Sequence, residues 1–581
     1  MTQKEKKLLI GNGAVARGLY EAGCVFVSSY PGTPSTEITE EAAKYDEIYA
    51  EWAPNEKVAV ESAIGASIAG GRAFSGMKHV GLNVAADPVF TVSYSGIGAG
   101  LVIAVADDQG MHSSQNEQDS RNYAIAAKLP MLEPSDSEEC LRFTKRAFEL
   151  SERFDVPVFL RLSTRVAHSQ SIVTLSEREG VALAEYTKNA QKYVMAPANA
   201  KVRRVEVEKR EKALREFVNT SDLNKIEWGS RKIGIIAAGI AYTYAREALG
   251  DNASYLKLGI VNPLPDKLIA EFASQVEKLY VIEELDDIIE TFCRKIGAKV
   301  EGKSLFSFIG EYTPGMIRSK ILGSEPAAAL PADVPVRPPV LCPGCPHRGI
   351  FHVLSKMKLT VSGDIGCYTL GASAPLSAMD TTICMGASIG VLHGMNVVRP
   401  ETAGKAVAVI GDSTFIHSGI TGLINLVYNK TPSTVIILDN SITAMTGHQQ
   451  NPATGLTLKN KPAPAIDLEA ICRAVGVKRV RSVDPFDLKG VEAALKEELA
   501  ADEPSVILAR RPCALLKTVK RNKPLAVNAV KCVKCRMCMR IGCPALVMGE
   551  KAMSIDPSLC VGCGLCIQLC RPGAIGGNDS E

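Results

Sequence analysis

The sequence predicts an α/β protein built from several parallel-sheet units, followed by a small cysteine-rich α+β domain. Three observations carry that expectation. Short apolar runs alternate with helix-length stretches over most of the 581 residues. The stretch 406–440 reads strand, helix, strand without interruption. Eight of the 17 cysteines crowd between Cys532 and Cys570. The length suggests about four domains. With 46% hydrophobic and 22% charged residues the composition is that of a globular chain, and a net charge of +3 makes no general case for nucleic-acid binding. No apolar run is long enough to cross a membrane or to act as a signal peptide, so a cytoplasmic protein is expected. There, cysteines serve as metal ligands or redox groups rather than as a disulfide scaffold.

Residues 1–175 are expected to form the first α/β unit, with strands at 7–10, 24–28, 81–85, 100–106 and 157–160. Gly11, Gly13 and Gly18 imitate a dinucleotide-binding turn, but the next apolar run ends without the acidic residue a ribose needs. Residues 28–35 (SSYPGTPS, including Thr33) run from a strand into a Pro/Gly turn. Residues 55–71 read as a helix rich in small residues with Glu56 in its first turn, where a glutamate is ordinarily a favourable dipole partner. Residues 106–121, containing His112 and Arg121, form a polar stretch after a strand: a solvated loop, or the place at a strand's carboxyl end where ligands sit.

Residues 176–230 read as a charged connector over the surface, its 201–215 segment helical with few apolar anchors. A smaller α/β unit is expected over 231–330, with strands at 232–237 and 278–281 and a helix at 239–249. The Pro-rich run 326–339 reads as a linker. Residues 335–522 form the next α/β unit. It opens on Cys342-Pro-Gly-Cys345-Pro-His-Arg348, passes Gly363-Asp364-Ile365-Gly366-Cys367, and reaches Met385-Gly386 with Gly390 at a close-packed helix start. Strands at 406–410 and 434–438 then end in Gly411-Asp412-Ser413 and Asp439-Asn440. A right-handed crossover brings both carboxyl ends to one sheet edge. A carboxylate and an amide oxygen there suit Mg²⁺, while Asp412 equally suits a capped βα turn; the residues alone leave both open.

Over 523–581, Cys532, Cys535 and Cys538 repeat as Cys560, Cys563 and Cys566, each triplet followed by a further cysteine, Cys543 or Cys570. Soft thiolates in doubled C-x2-C-x2-C runs are the pattern of a two-cluster ferredoxin, in which each [4Fe–4S] cluster takes its fourth ligand from the other run. One set is then Cys532, Cys535, Cys538 and Cys570; the other is Cys560, Cys563, Cys566 and Cys543. Two details depart from the usual pattern: four residues separate Cys538 from Cys543 where three are usual, and Arg571 intervenes before Pro572. Zinc is the alternative for any cysteine cluster, and the doubled spacing argues against it.

Taken together, SSYPGTPS, the Glu56 helix, SSQNEQDSR, CPGCPHR, GDS with LDN, and the ferredoxin repeat resemble the thiamine-diphosphate-dependent 2-oxoacid:ferredoxin oxidoreductases over essentially the whole chain, and within them the α subunits that act on indolepyruvate. The resemblance implies a pyrimidine-binding domain at 1–175, a transketolase C-terminal-like domain at 231–330 and a diphosphate-binding domain at 335–522. It implies Mg²⁺ held by Asp412, Asn440 and the carbonyl of Ile442, with Gly386, Gly411 and Ser413 at the diphosphate. Ser413 stands where the family usually has Gly. Glu56 would hydrogen-bond the aminopyrimidine, and Thr33 would face the substrate. Met445 stands where pyruvate-specific relatives carry a polar amide, and their substrate-clamping Arg has no counterpart near Asp107. Both departures suggest a roomier pocket for an aryl 2-oxoacid of the indolepyruvate or phenylpyruvate type, with His112 and Arg121 as candidates to meet its carboxylate. Cys342, Cys345, Cys367 and Cys513 would hold a third [4Fe–4S] cluster. The implied reaction consumes CoA and reduces ferredoxin, and the implied assembly is an α2β2 complex with a β subunit. Rival readings are an oxidoreductase for another 2-oxoacid, a non-oxidative thiamine-diphosphate decarboxylase, and an electron-transfer subunit on an inert scaffold.

Overall fold

In the computed structural model the described residues are 5–324, 334–335 and 338–577. Most of the Pro-rich run 326–339 lies outside them. The chain forms two compact units, Met1–Ala332 and Asp333–Glu581.

The first unit is organised on a seven-stranded sheet ordered 260–262, 131–132, 158–163, 101–107, 73–78, 26–29, 49–52. All neighbours are parallel except Ile260–Asn262, which runs antiparallel to Met131–Leu132. Leu101–Asp107 is buried at every residue, as expected of a parallel strand covered by helices on both faces. Helix Ser137–Phe154 covers one flank through Cys140, Leu141, Phe143, Ala147 and Phe148, and Asp136 caps it by accepting from the Glu139 amide at 2.8 Å. A four-stranded sheet ordered 278–282, 233–238, 254–258, 225–227 makes the smaller α/β layer.

The structure corrects three expectations here. Residues 81–85 lie inside helix His79–Ser95, and the strand is the preceding Ala73–Lys78; a short apolar run carries no period of its own to separate the two. Strand Lys6–Ile10 is not in the main sheet but pairs antiparallel with Gln170–Thr174. Ile260–Asn262 extends the first sheet, so the 231–330 segment does not stand apart from 1–175. Within 176–230, helix Pro197–Val218 buries Val207, Arg210, Leu214 and Val218, and Lys225–Glu227 pairs with the second sheet.

The second unit carries a six-stranded, wholly parallel sheet ordered 381–382, 360–363, 406–411, 434–439, 505–510, 479–483. Its cysteine-rich end contributes two small antiparallel pairs, Leu525–Val527 with Ile575–Gly577 and Leu546–Met548 with Met553–Ile555. Among the described residues this end shares its core with the rest of the unit. Ile541, Leu565 and Ile575 bury in the same cluster as Leu341, Phe351, Val361 and Ile507. Among the described residues no helix is long and apolar enough to cross a membrane.

Candidate active site and cysteine centres

In the second unit, Gly411 and Leu438 pair at the ends of adjacent parallel strands, so Asp412 and Asn440 emerge side by side. Asp412 is 3% exposed. Its Oδ1 accepts from the Ser413 amide at 2.8 Å, while the buried Oδ2 has no hydrogen-bond partner. Burial, with Asp439 nearby, pushes its carboxyl up to about 7. The Asn440 side-chain oxygen lies 2.7 Å from the Ile442 carbonyl oxygen and 3.3 Å from Asp412 Oδ1. Rotating the amide would turn both approaches into hydrogen bonds. A cation among the three oxygens accounts for them without rotation: octahedral Mg²⁺ at about 2.0–2.1 Å spaces neighbouring ligand oxygens by about 2.9 Å. The orphaned Asp412 oxygen fits the same account, and these three groups could hold Mg²⁺.

Two helix starts face this edge. Gly386 caps helix Ala387–Val398 at φ +85°, where a Cβ would come within 2.3 Å of Ser418 Oγ. Asp364, fully buried, fastens the loop by accepting from the Gly386 amide at 2.8 Å and the Ser388 amide at 2.9 Å. The second start is Asp412 itself, where Thr443 Oγ1 donates to Ser413 Oγ at 2.9 Å. Helix N-termini at one sheet edge could cradle an anion. Met445 lies half-exposed on the loop that follows Ile442. The anchoring role of Asp364 escaped the sequence reading, although Gly-Asp after an apolar strand repeats the pattern of Gly411-Asp412.

The cysteines gather as three quartets. Cys345 interacts electrostatically with Cys342 and Cys367, Cys367 with Cys342 and Cys513, and Cys513 with Cys342. Cys566 and Cys563 each sense Cys543 and Cys560, and Cys538 senses Cys535 and Cys570, so each run has the following cysteine of the other nearby. Burial pushes Cys345 and Cys566 up to about 12 as free thiols, a cost that coordination to iron removes. Among the described residues no three His, Cys, Asp or Glu converge closely enough for one shared ion. A four-iron cube holds its sulfur ligands farther apart than a mononuclear zinc site does. Amides of Leu525, Met553 and Ala574 donate to Cys560, Cys532 and Cys570 Sγ at 3.4, 3.5 and 3.1 Å.

The oxygen site, the Cys342 quartet and the Cys563 run lie next to one another in that order. The Cys513 amide donates to the Asn440 carbonyl at 3.0 Å. Next to Cys367, Tyr368 donates to Thr414 Oγ1 at 3.3 Å and fills the space above Gly411, where a Cβ would lie 2.7 Å from the ring. On the other side, a Cβ on Gly344 would meet Val561 at 2.5 Å and the Cys563 Cβ at 3.8 Å. Arg348, 2% exposed, ties the two loops, donating to the carbonyls of Leu341 and Cys342 and to those of Ile541 and Gly542.

In the first unit, Glu56 opens helix Glu56–Ile68 after the cap Asn55, whose side chain accepts from the Val58 amide at 2.9 Å. It is 4% exposed, and Gly81 leaves it room: a Cβ there would lie 2.5 Å from Glu56 Oε1. The Thr33 turn is closed by Ser35, whose amide and hydroxyl both donate to the Gly32 carbonyl at 2.8 Å. Asn12 steadies it by donating to the Pro34 carbonyl at 2.7 Å. Ser113 Oγ reaches the Thr33 carbonyl at 3.3 Å.

The two residues expected to meet a carboxylate are occupied. Arg121 is 1% exposed and donates to Asp119, to Glu283 Oε2 at 2.7 Å, and to the carbonyls of Glu284 and Asp286. Its donors all face protein acceptors, which corrects the expectation for Arg121. His112, half-exposed, pairs with Glu311 at 3.0 Å.

Three family models match. Residues 17–222 match pyruvate flavodoxin/ferredoxin oxidoreductase, thiamine diP-bdg; residues 364–509 match the thiamine pyrophosphate enzyme C-terminal TPP binding domain; residues 553–576 match the 4Fe-4S binding domain. The chain is 42% identical to indolepyruvate oxidoreductase subunit IorA of Archaeoglobus fulgidus, over 94% of each chain. It is 41% identical to the subunit of that name from Pyrococcus horikoshii, over 93% of this chain and 92% of the relative. Among solved structures, 2-oxoglutarate:ferredoxin oxidoreductase from Magnetococcus marinus aligns at 18% identity and TM-score 0.47, covering 55% of this chain and 65% of that one.

Proposed function

The chain belongs to the indolepyruvate oxidoreductase subunit IorA family of thiamine-dependent 2-oxoacid:ferredoxin oxidoreductases, and from that premise we propose that it converts an aryl 2-oxoacid, CoA and two oxidised ferredoxins into arylacetyl-CoA, CO2, a proton and two reduced ferredoxins. The observation that carries this reading is the continuity inside the second unit. A three-oxygen site at a helix start is joined by one backbone hydrogen bond to the first of three cysteine quartets.

Thiamine diphosphate, when bound, supplies the carbon nucleophile and the electron sink that 2-oxoacid decarboxylation requires. Asp412, Asn440 and the Ile442 carbonyl would hold Mg²⁺, and the amides at Gly386 and Ser413 would meet the diphosphate. Glu56, screened from water, would hydrogen-bond the aminopyrimidine and hold the proton whose movement activates the cofactor. Thr33 would face the substrate, and Met445 would leave its side of the pocket without the polar amide a small 2-oxoacid needs. Cys342, Cys345, Cys367 and Cys513 would hold the cluster nearest the cofactor, and the two ferredoxin-type sets would carry electrons outward. The working assembly is α2β2 with a β subunit, with ferredoxin as acceptor.

The test is arylpyruvate- and CoA-dependent reduction of ferredoxin or a viologen dye, using anaerobically purified complex with and without the partner subunit. Activity that persists without thiamine diphosphate, or in an Asp412→Ala variant, would overturn the reading.

A further inference from the structure

We propose that Lys78 is the cation that receives the carboxylate of the 2-oxoacid. This deepens the oxidoreductase reading above and rests on it.

Lys78 is the last residue of strand Ala73–Lys78, paired with Ala106, at the sheet edge from which the Thr33 turn and the Asp107–Asp108 segment also emerge. Ligands of open parallel sheets sit outside that edge. The aliphatic stem lies under the Thr33 turn: a Cβ on Gly32 would be 3.3 Å from Lys78 Cγ. The ammonium donates to the Ser113 carbonyl at 3.0 Å, and Ser113 Oγ reaches the Thr33 carbonyl at 3.3 Å. The charge therefore stands where two polar loops meet, beside the turn expected to face substrate and within electrostatic reach of Glu56.

The other cations around this edge are already neutralised. Arg121 pairs with Asp119 and Glu283, and Arg161 with Asp107 and Glu133. Arg165 and His112 share Glu311, and His168 faces Glu37. Lys78 has no carboxylate within ion-pair distance among the described residues. Its neighbour Asp108 accepts instead from the Ser113 amide at 2.8 Å, Ser114 Oγ at 2.7 Å and Thr164 Oγ1 at 2.8 Å. A partly buried ammonium held by a carbonyl retains donors for an anion. Burial lowers its proton affinity, which an incoming carboxylate would restore. A lysine here also explains how the site works without the arginine of pyruvate-specific enzymes: the ammonium is a compact charge that fixes one end of the substrate and leaves space for a large side chain.

The experiment uses the complete complex. Lys78→Met should raise the Michaelis constant for phenylpyruvate by about 10- to 100-fold, the range a charge-assisted hydrogen bond commands, with the constant for CoA unchanged, and Lys78→Arg should recover much of the loss. A second readout needs no turnover. Wild-type complex should bind phenylpropionate more tightly than its neutral amide, and Lys78→Met should abolish that preference. Should Lys78→Met fail to assemble, Lys78→Gln, which keeps the stem but not the charge, takes its place in the same comparison. A Met or Gln variant that keeps both the anion preference and the wild-type Michaelis constant overturns the assignment. Wild-type complex that reduces no dye with any 2-oxoacid overturns the underlying oxidoreductase reading instead, and does so before any variant is made.

Discussion

The side-chain oxygens of Asn440 and Asp412 face each other at 3.3 Å, acceptor against acceptor, where two parallel strands end. Such an approach is relieved either by a cation between the two oxygens or by a rotated Asn440 amide that donates to Asp412. With the cation, Asp412→Ala should weaken Mg²⁺-dependent thiamine diphosphate binding by more than the about 10- to 100-fold typical of groups behind the first ligand shell. Titration calorimetry with Mg²⁺ and with EDTA measures it. Equal affinity in wild type and variant would favour the rotated amide and a site without a cation.

Gly81 is the residue that lets Glu56 lie against helix His79–Ser95. In Gly81→Ala the new methyl would stand 2.5 Å from Glu56 Oε1, so the carboxylate must move. If Glu56 activates the cofactor, turnover should fall by up to about 100-fold, the scale that a 1 Å misplacement costs, while the melting temperature changes little. Turnover equal to wild type would show that Glu56 tolerates displacement.

Three cysteine quartets predict about twelve iron per chain, at four per cluster. Cys342→Ser should reduce anaerobically measured iron by about four, with the remaining clusters still visible by electron paramagnetic resonance. About eight iron in wild type would remove the quartet of Cys342, Cys345, Cys367 and Cys513. Arg348→Ala probes the junction between loops rather than a cluster ligand. It leaves four carbonyls without their donor, each costing about 1–3 kcal/mol if no water replaces it. A clear drop in melting temperature and slower passage of electrons to ferredoxin are expected.

Burial pushes the Glu284 carboxyl up to about 7, although it accepts from the Tyr312 amide at 2.8 Å. In the unfolded chain it ionises near the usual value of about 4.5, whereas the folded protein keeps its proton until about 7. Between these values the folded state binds more protons, so this group's contribution to stability falls as pH rises from about 4.5 to 7 and stays low above. Glu284→Gln keeps an acceptor for Tyr312 and removes the titration. The gap in melting temperature between pH 5 and pH 8 should shrink in the variant, and an unchanged gap would place the titrating group elsewhere.

That the cysteines of each run and the Asp412–Asn440 pair lie close together was legible, because it follows from fixed local spacing and from strand ends that an α/β crossover must bring together. Glu56 was legible as a helix start. Other features lay outside local pattern. Residues 81–85 look like a strand because so short a stretch, apolar or small apart from Asn83, has no period, and the helix emerges only once Ala73–Lys78 takes the sheet position. Arg121 looks like a substrate ligand in a polar loop. What excludes it is Glu283, more than 160 residues away, folded onto it from another layer. The role proposed for Lys78 has the same origin, since it depends on which other cations already have partners.

The bond from the Cys513 amide to the Asn440 carbonyl has a consequence for how the protein ages in air. It ties together two strand ends far apart in sequence, one carrying Asn440 and the other Cys513, so a cation held at the first and a cluster held at the second would brace the same contact. Filling the oxygen site would then steady the backbone that carries Cys513. Iron loss on exposure to air should be slower in the thiamine-loaded protein, which makes cofactor supply a determinant of the enzyme's lifetime as well as of its rate.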